Sequence, residues 1–416
     1  MSAYVQKLRQ QAVERFPALG FAAYRRYWFA SFASVGATQL IMLGQGWLIF
    51  ELTGSALQLG ILGAAASLPN ILMTMFGGVV ADRFDKRQIL RVTSALITVL
   101  LVILATLDVL GLVKVWHVIT IAALFSLITG LDWPARVAIY PHLVARSAFM
   151  SAVALNSFIW QATRMAVPAL GGVLIYIADT WLIFALGAAG FLTMFIVISG
   201  IHVQLPAPTE HSPLQQLKQG IVFIWHNPLF KWLIGLTFVG MFLANSYVQI
   251  LPVFVGLMGT GEQGYGYLLS AGGLGSIIGT LLVGGLDQDK PSGQYMFAGA
   301  GCSAIGLFGF VGAAGAGYFS LALLAVFLVS VCSSVYMIIS MTILQMRVPD
   351  ELRGRVMGIH TIGYSLTPLG GLLLGAMAQS TGPGKAVLLA AGIYLVILSA
   401  IWLFRTDLKH LRQQSD

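Results

Sequence analysis

Apolar runs of about twenty residues, each ended by a short polar or Gly/Pro-rich break, recur along all 416 residues of the chain. A helix needs about 20 mostly apolar residues to cross a bilayer. Runs of this length rich in Ala, Leu and Gly fit helices rather than strands. The pattern predicts twelve spans, over residues 27–50, 57–81, 88–110, 115–138, 149–176, 180–203, 230–256, 264–286, 294–314, 318–345, 354–379 and 386–405. One segment breaks the rhythm. Residues 204–229 hold Pro206, Pro208, Glu210, His211, Pro213 and Lys218. They read as a linker dividing six spans from six, with a surface helix over residues 214–225. The expected organisation is a tail over 1–26, a six-helix bundle over 27–203, the linker over 204–229, a second bundle over 230–405 and a tail over 406–416.

Composition agrees, with 58% of residues hydrophobic and 9% charged, against roughly 45–50% apolar in soluble domains. The net charge of +8 would suit a nucleic-acid partner, but its distribution does not. With both termini in the cytoplasm, all 23 Lys and Arg except Lys114, Arg164 and Lys385 fall on the cytoplasmic side or its boundary. That is the positive-inside rule; the charge orients spans in a lipid bilayer and predicts no nucleic acid. Trp28, Trp47, Trp116, Trp181 and Trp402 lie near span ends, as interfacial anchors do. The first 26 residues lack an apolar core, so no signal peptide is read there; residues 5–19 fit either a surface helix or a solvated tail. Cys302 and Cys332 have no metal-ligand spacing, the histidines do not cluster, and no Gly-x-x-x-x-Gly-Lys-Ser/Thr loop is present. No metal, cofactor, ATP drive or enzyme chemistry is predicted.

The two halves read as copies. Gly78 and Asp82 before a charged loop recur as Gly284, Gly285 and Asp287; Pro141 before span 5 recurs as Pro349 before span 11; Pro168, Gly171 and Gly172 recur as Pro368, Gly370 and Gly371. Parallel six-helix repeats place a substrate cavity between the halves near the midplane.

The stretch from Gly77 to Arg87 carries Asp82, Arg83, Asp85, Lys86 and Arg87. Such a cluster marks a loop at the membrane–water boundary. Its pattern resembles the loop between helices 2 and 3 of the major facilitator superfamily. The resemblance implies an all-α membrane protein of twelve transmembrane helices in two pseudo-symmetric bundles, acting as a monomer on a small-molecule substrate with protons as coupling ion. It implies that Gly78, Asp82, Arg83, Lys86 and Arg87 form a gating loop. Asp82 would accept hydrogen bonds from the start of span 11 near Gly354, latching the halves on the cytoplasmic side. Asp85 departs from the family, which has Gly there. Asp132 and Arg136 stand at i, i+4 and pair on one helix face. Their surroundings, from Gly130 through Tyr140 and Pro141, resemble the enterobactin-exporter and macrolide-efflux branch, as does the stretch from Glu51 to Ser55. In that setting Asp132 is expected to engage Lys86 or Arg87 as well as Arg136.

Arg164 falls near the middle of span 5, where a charge costs about 3 kcal/mol unless it is paired or faces water. Asn156, Trp160, Arg164 and Pro168 share a helix face, and the segment resembles the span 5 motif of drug:proton antiporters, with Val167 in place of the usual Gly. Two readings stay open: a binder of an anionic substrate or coupling carboxylate, or a structural cation. Gln45 with Thr38, Asn245 with Gln249, Tyr336 with Ser340, and His360 with Tyr364 and Thr367 have helical spacing. They fit either a cavity lining or helix-to-helix hydrogen bonds. Asp108 and Asp132 are the first candidates for proton coupling. The function expected is an inner-membrane exporter of a small amphipathic compound, a siderophore or drug, by alternating access with proton antiport. Alternatives are a lysophospholipid or metabolite transporter, or a transport-inactive receptor or assembly factor.

Overall fold

The computed structural model describes residues 14–201, 213–286 and 292–405 with Leu408 and Leu411, the side chains of residues 74–83 and 213–217 excepted. Among them every regular element is a helix. The first half holds α1 (Ala22–Thr53), α2 (Ala56–Arg83), α3 (Lys86–Val109), α4 (Val115–Ile139) and the 52-residue stretch Phe149–Gly200. That last stretch breaks at Ala178 (φ −146°, ψ 20°) and Asp179 (φ 61°, ψ −179°), giving two crossings, α5 (residues 149–177) and α6 (residues 180–200). A surface helix, α7 (Pro213–His226), leads into the second half. There follow α8 (Pro228–Met258), α9 (Gly261–Gly284), α10 (Ser292–Gly315), α11 (Phe319–Arg347), α12 (Asp350–Thr381) and α13 (Pro383–Phe404). Eleven stretches are long and apolar enough to span; with the broken one counted twice, twelve crossings result. Each predicted span overlies one of them, and α7 matches the predicted surface helix.

Span 7 is a single apolar run in the sequence but not a single regular helix. Within α8 a π segment at Gly240–Ala244 and a 3-10 stretch at Asn245–Ile250 separate two α-helical pieces. Pro252 has no N–H to give to the turn before it. The Tyr394 hydroxyl of α13 lies only 2.8 Å from where a Cβ on Gly240 would sit.

Within the halves, α1 packs on the α5–α6 pair and α2 on α4, while α11 packs on α9 and α10. Two long contacts join the halves: α2 with α12, and α5 with α9. Glycine lines both. A Cβ on Gly63 would lie 2.4 Å from the Pro368 carbonyl oxygen, and one on Gly375 2.3 Å from that of Ala56. On the other seam, a Cβ on Gly266 would lie 2.4 Å from the Pro168 oxygen and one on Gly273 2.5 Å from that of Arg164. Small residues are what let backbones approach this closely in lipid.

Among the described residues the seams close at one end only. On the α12 face that meets α2, Gly371 and Gly375 are buried, while Gly354, Gly358, Thr361 and Tyr364, further toward the linker, are exposed. On α5, Pro168 and Gly172 are buried and Ala154 and Ser157 exposed; on α9, Gly266 and Gly273 are buried and Thr280 and Gly284 exposed. The halves therefore meet far from the linker and part toward it. At the closed end Trp47 of α1 stacks on Tyr265 of α9 at 6.2 Å, and the Phe50 ring presses on Gly256. On the linker side α7 rests on α12, where Arg355 Nη1 donates to Gln219 Oε1 at 2.5 Å, and also touches α2.

Candidate functional site

At the point where the α5–α9 seam opens stands Arg164. Its carbonyl closes against Gly273, while its side chain is exposed. Among the described residues, the titratable groups that act on it electrostatically are Tyr364 of α12 and Tyr247 of α8, both from the other half. Tyr364 is 51% exposed and Tyr247 only 2%. An exposed arginine facing tyrosines across the seam lines a cavity between the halves. The first-half wall continues one turn away. Trp160 meets Trp133 of α4 edge-on, centroids 5.1 Å apart, and both line a cleft with Tyr27, Ser31, Arg136 and Asn156. In the second half Asn245, Ser333, Tyr336, Met241 and Met337 surround a second cleft beside the π segment. There Asn245 Nδ2 donates to Ser333 Oγ at 3.3 Å, and the Tyr336 hydroxyl and Thr237 Oγ1 lie 2.9 Å apart.

Three predicted cavity residues sit elsewhere. Gln249 is a clasp in the seam: its Nε2 donates to the Leu59 carbonyl of α2 at 2.9 Å. His360 is 1% exposed and Gln45 6%; both are buried. The unpartnered atoms there are His360 Nε2 and Gln45 Nε2. His360 and Tyr364 are one turn apart, about 40° around the helix, which is enough to send one inward and the other to the cavity.

The charged motif also differs from expectation. Asp132 accepts a hydrogen bond from Thr93 Oγ1 at 2.7 Å and pairs with Arg136 Nε. It does not engage Arg87. That guanidinium donates instead to the last carbonyls of α6, Nε to Ile198 at 3.2 Å and Nη2 to Ser199 at 2.8 Å. Helix C-termini leave such carbonyls without intrahelical partners, so they compete for the cation better than a carboxylate already satisfied inside the bundle. Arg136 Nη1 donates to Ser34 Oγ at 2.8 Å, and the Tyr27 hydroxyl to the Arg136 carbonyl at 3.2 Å. The pair thus ties α1, α3 and α4 together within one half and does not bridge the halves. Asp85 caps α3, accepting from Arg87 N at 2.9 Å; this is the local work of the departure from the family's Gly. Lys86 opens that helix. The surroundings of Gly78, the side chains of Asp82 and Arg83, and all of Asp287 lie outside the described residues; Gly354, the expected latch partner, is exposed. Asp108 lies at the far end, where its Oδ2 accepts from Thr180 Oγ1 at 2.5 Å.

Two six-helix halves meeting along glycine seams around a polar cavity define a multi-pass membrane transporter of the major facilitator fold rather than an enzyme. A family model described as a transmembrane secretion effector matches residues 14–415, and the chain belongs to that family of the superfamily. It is 26% identical over 401 residues to the enterobactin exporter EntS of Shigella dysenteriae, covering 94% of each chain. It is 23% identical over 365 residues to the staphyloferrin A transporter of Staphylococcus aureus, covering 86% of this chain and 90% of that one. A crystal structure of a point mutant of the peptide transporter POT in complex with alafosfalin shares the fold, with a TM-score of 0.74 at 14% identity, covering 98% of this chain and 99% of that one.

Proposed function

We propose that the protein exports a small amphipathic compound of the siderophore kind across the inner membrane, by alternating access. The carrying observation is the pair of seams, closed far from the linker and open toward it. The positive-inside distribution supports placing both termini and the linker in the cytoplasm. The cavity then faces the compartment from which an exporter loads. The names of the relatives support a siderophore-like cargo. Proton antiport is the proposed drive. Asp108 is the first carboxylate to test, because Asp132 is held in an ion pair within one half. The test compares compounds secreted by cells with and without the gene. Deletion should lower one siderophore-class compound in the medium, a plasmid copy should restore it, and collapsing the pH gradient should abolish the restoration. Identical secretion profiles would refute the export reading.

A further inference from the structure

We infer that Arg164 and Tyr364, backed by Tyr247, form an anion site at the apex of the cavity, and that it takes the oxyanion of an aromatic amphipathic compound. The inference deepens the transport reading, on which it rests, by naming the chemical class that the cavity holds.

Arg164 carries no hydrogen bond or ion pair among the described residues. The buried arginine of the first half, Arg136, has a carboxylate and a hydroxyl. The groups facing Arg164 are two phenols from the opposite half. A phenol donates a hydrogen bond but supplies no countercharge at neutral pH, so the guanidinium remains open to an anion. A planar guanidinium with a phenol beside it matches a carboxylate or similar oxyanion, whose several lone pairs accept from both. One turn along α5, the Trp133–Trp160 pair offers apolar faces and edges to a ring carried behind that anion.

Position gives the site a consequence for motion. Arg164 belongs to α5 and Tyr364 to α12, on opposite halves. Both stand where a buried seam face turns exposed: Pro168 beyond Arg164 and Gly371 beyond Tyr364 are buried, while Ser157 and Thr361 on the linker side are exposed. An anion held by both residues ties the halves at the fulcrum. It favours the arrangement in which the linker-side ends of α5 and α12 approach. Cargo binding would thereby be linked to closure of the loading side.

The test uses the full chain in lipid nanodiscs, with 1-naphthoate as probe and its neutral amide, 1-naphthamide, as control. A radiolabelled binding assay should show the acid bound about tenfold more tightly than the amide, the size expected for one charge-assisted pairing. Arg164→Gln should erase that preference by weakening the acid far more than the amide; Arg164→Lys should keep part of it. Tyr364→Phe should weaken the acid severalfold and the amide less. Equal binding of acid and amide to the unaltered protein overturns the site, as does an acid preference that survives in folded, monodisperse Arg164→Gln. Should that variant not fold, Tyr364→Phe decides, and unchanged acid binding in it counts against the site. Because binding is read without transport, an unchanged secretion profile with an intact acid preference would remove the export reading and leave the anion site standing.

Discussion

Two arginines of the first half are handled in opposite ways. Arg136 is surrounded by Asp132, Ser34 and, through its carbonyl, Tyr27. Arg164 is exposed, and among the described residues the titratable groups that act on it are phenols. A buried pair stripped of one partner leaves an uncompensated charge and costs about 3–5 kcal/mol. Asp132→Ala should therefore lower folded yield and unfolding temperature in detergent, with Thr93→Val showing a milder loss. A variant that folds as well as the parent yet transports poorly would restore a gating role to Asp132. The Asp132–Arg136 pair was legible from its i, i+4 spacing, and the depth of Arg164 from its place in an apolar run. Thr93, Ser34 and Tyr247 were not legible, because their partners lie on other helices and Ser, Thr and Tyr are ordinary residues in such runs. The burial of His360 beside the exposed Tyr364 was not legible either, because spacing groups residues by turn and does not resolve the angle that separates the two.

Hydropathy sets where helices run but not where they break. All twelve crossings were readable from the apolar runs, yet the turn between α5 and α6 has no polar loop. The chain reverses at Ala178 and Asp179, and Asp179 adopts φ 61° with ψ −179°. Only glycine occupies that region without strain, which for other residues costs about 1–3 kcal/mol. Asp179→Gly should raise stability by roughly 1 kcal/mol after the entropy cost of glycine is subtracted, seen as a higher unfolding temperature. An unchanged or lower value would mean that the aspartate side chain compensates locally. The π segment of α8 was equally hidden: no residue type announces it, and where it begins, at Gly240, it meets Tyr394 of α13. The capping of α3 by Asp85 has a readable signal, an Asp just before a helix start.

Across the whole molecule, the division into two halves followed from the linker and the repeated motifs, whereas the conformational state did not. Repeated glycines announced close packing, but which glycines touch, and at which end, depends on how two rigid bundles lean on each other. Gly60 and Gly63 of α2 with Gly371 and Gly375 of α12, and Gly172 of α5 with Gly266 of α9, hold the far end shut. The exposed faces of the same helices leave the linker end open. If the halves rock as rigid bodies about Arg164 and Tyr364, wedging one end open must close the other. Gly375→Leu is such a wedge, because a side chain there meets the Ala56 backbone. The direct measurement is pulsed electron-spin distances in nanodiscs, in a Cys302→Ser, Cys332→Ser background. One label pair replaces Ser157 and Thr280 on the linker side; the other replaces Leu52 and Leu257 at the far end. With Gly375→Leu added, rigid rocking lengthens the far-end distance and shortens the linker-side distance. A far end that opens with the linker side unmoved, or two distances that change in the same direction, would contradict it.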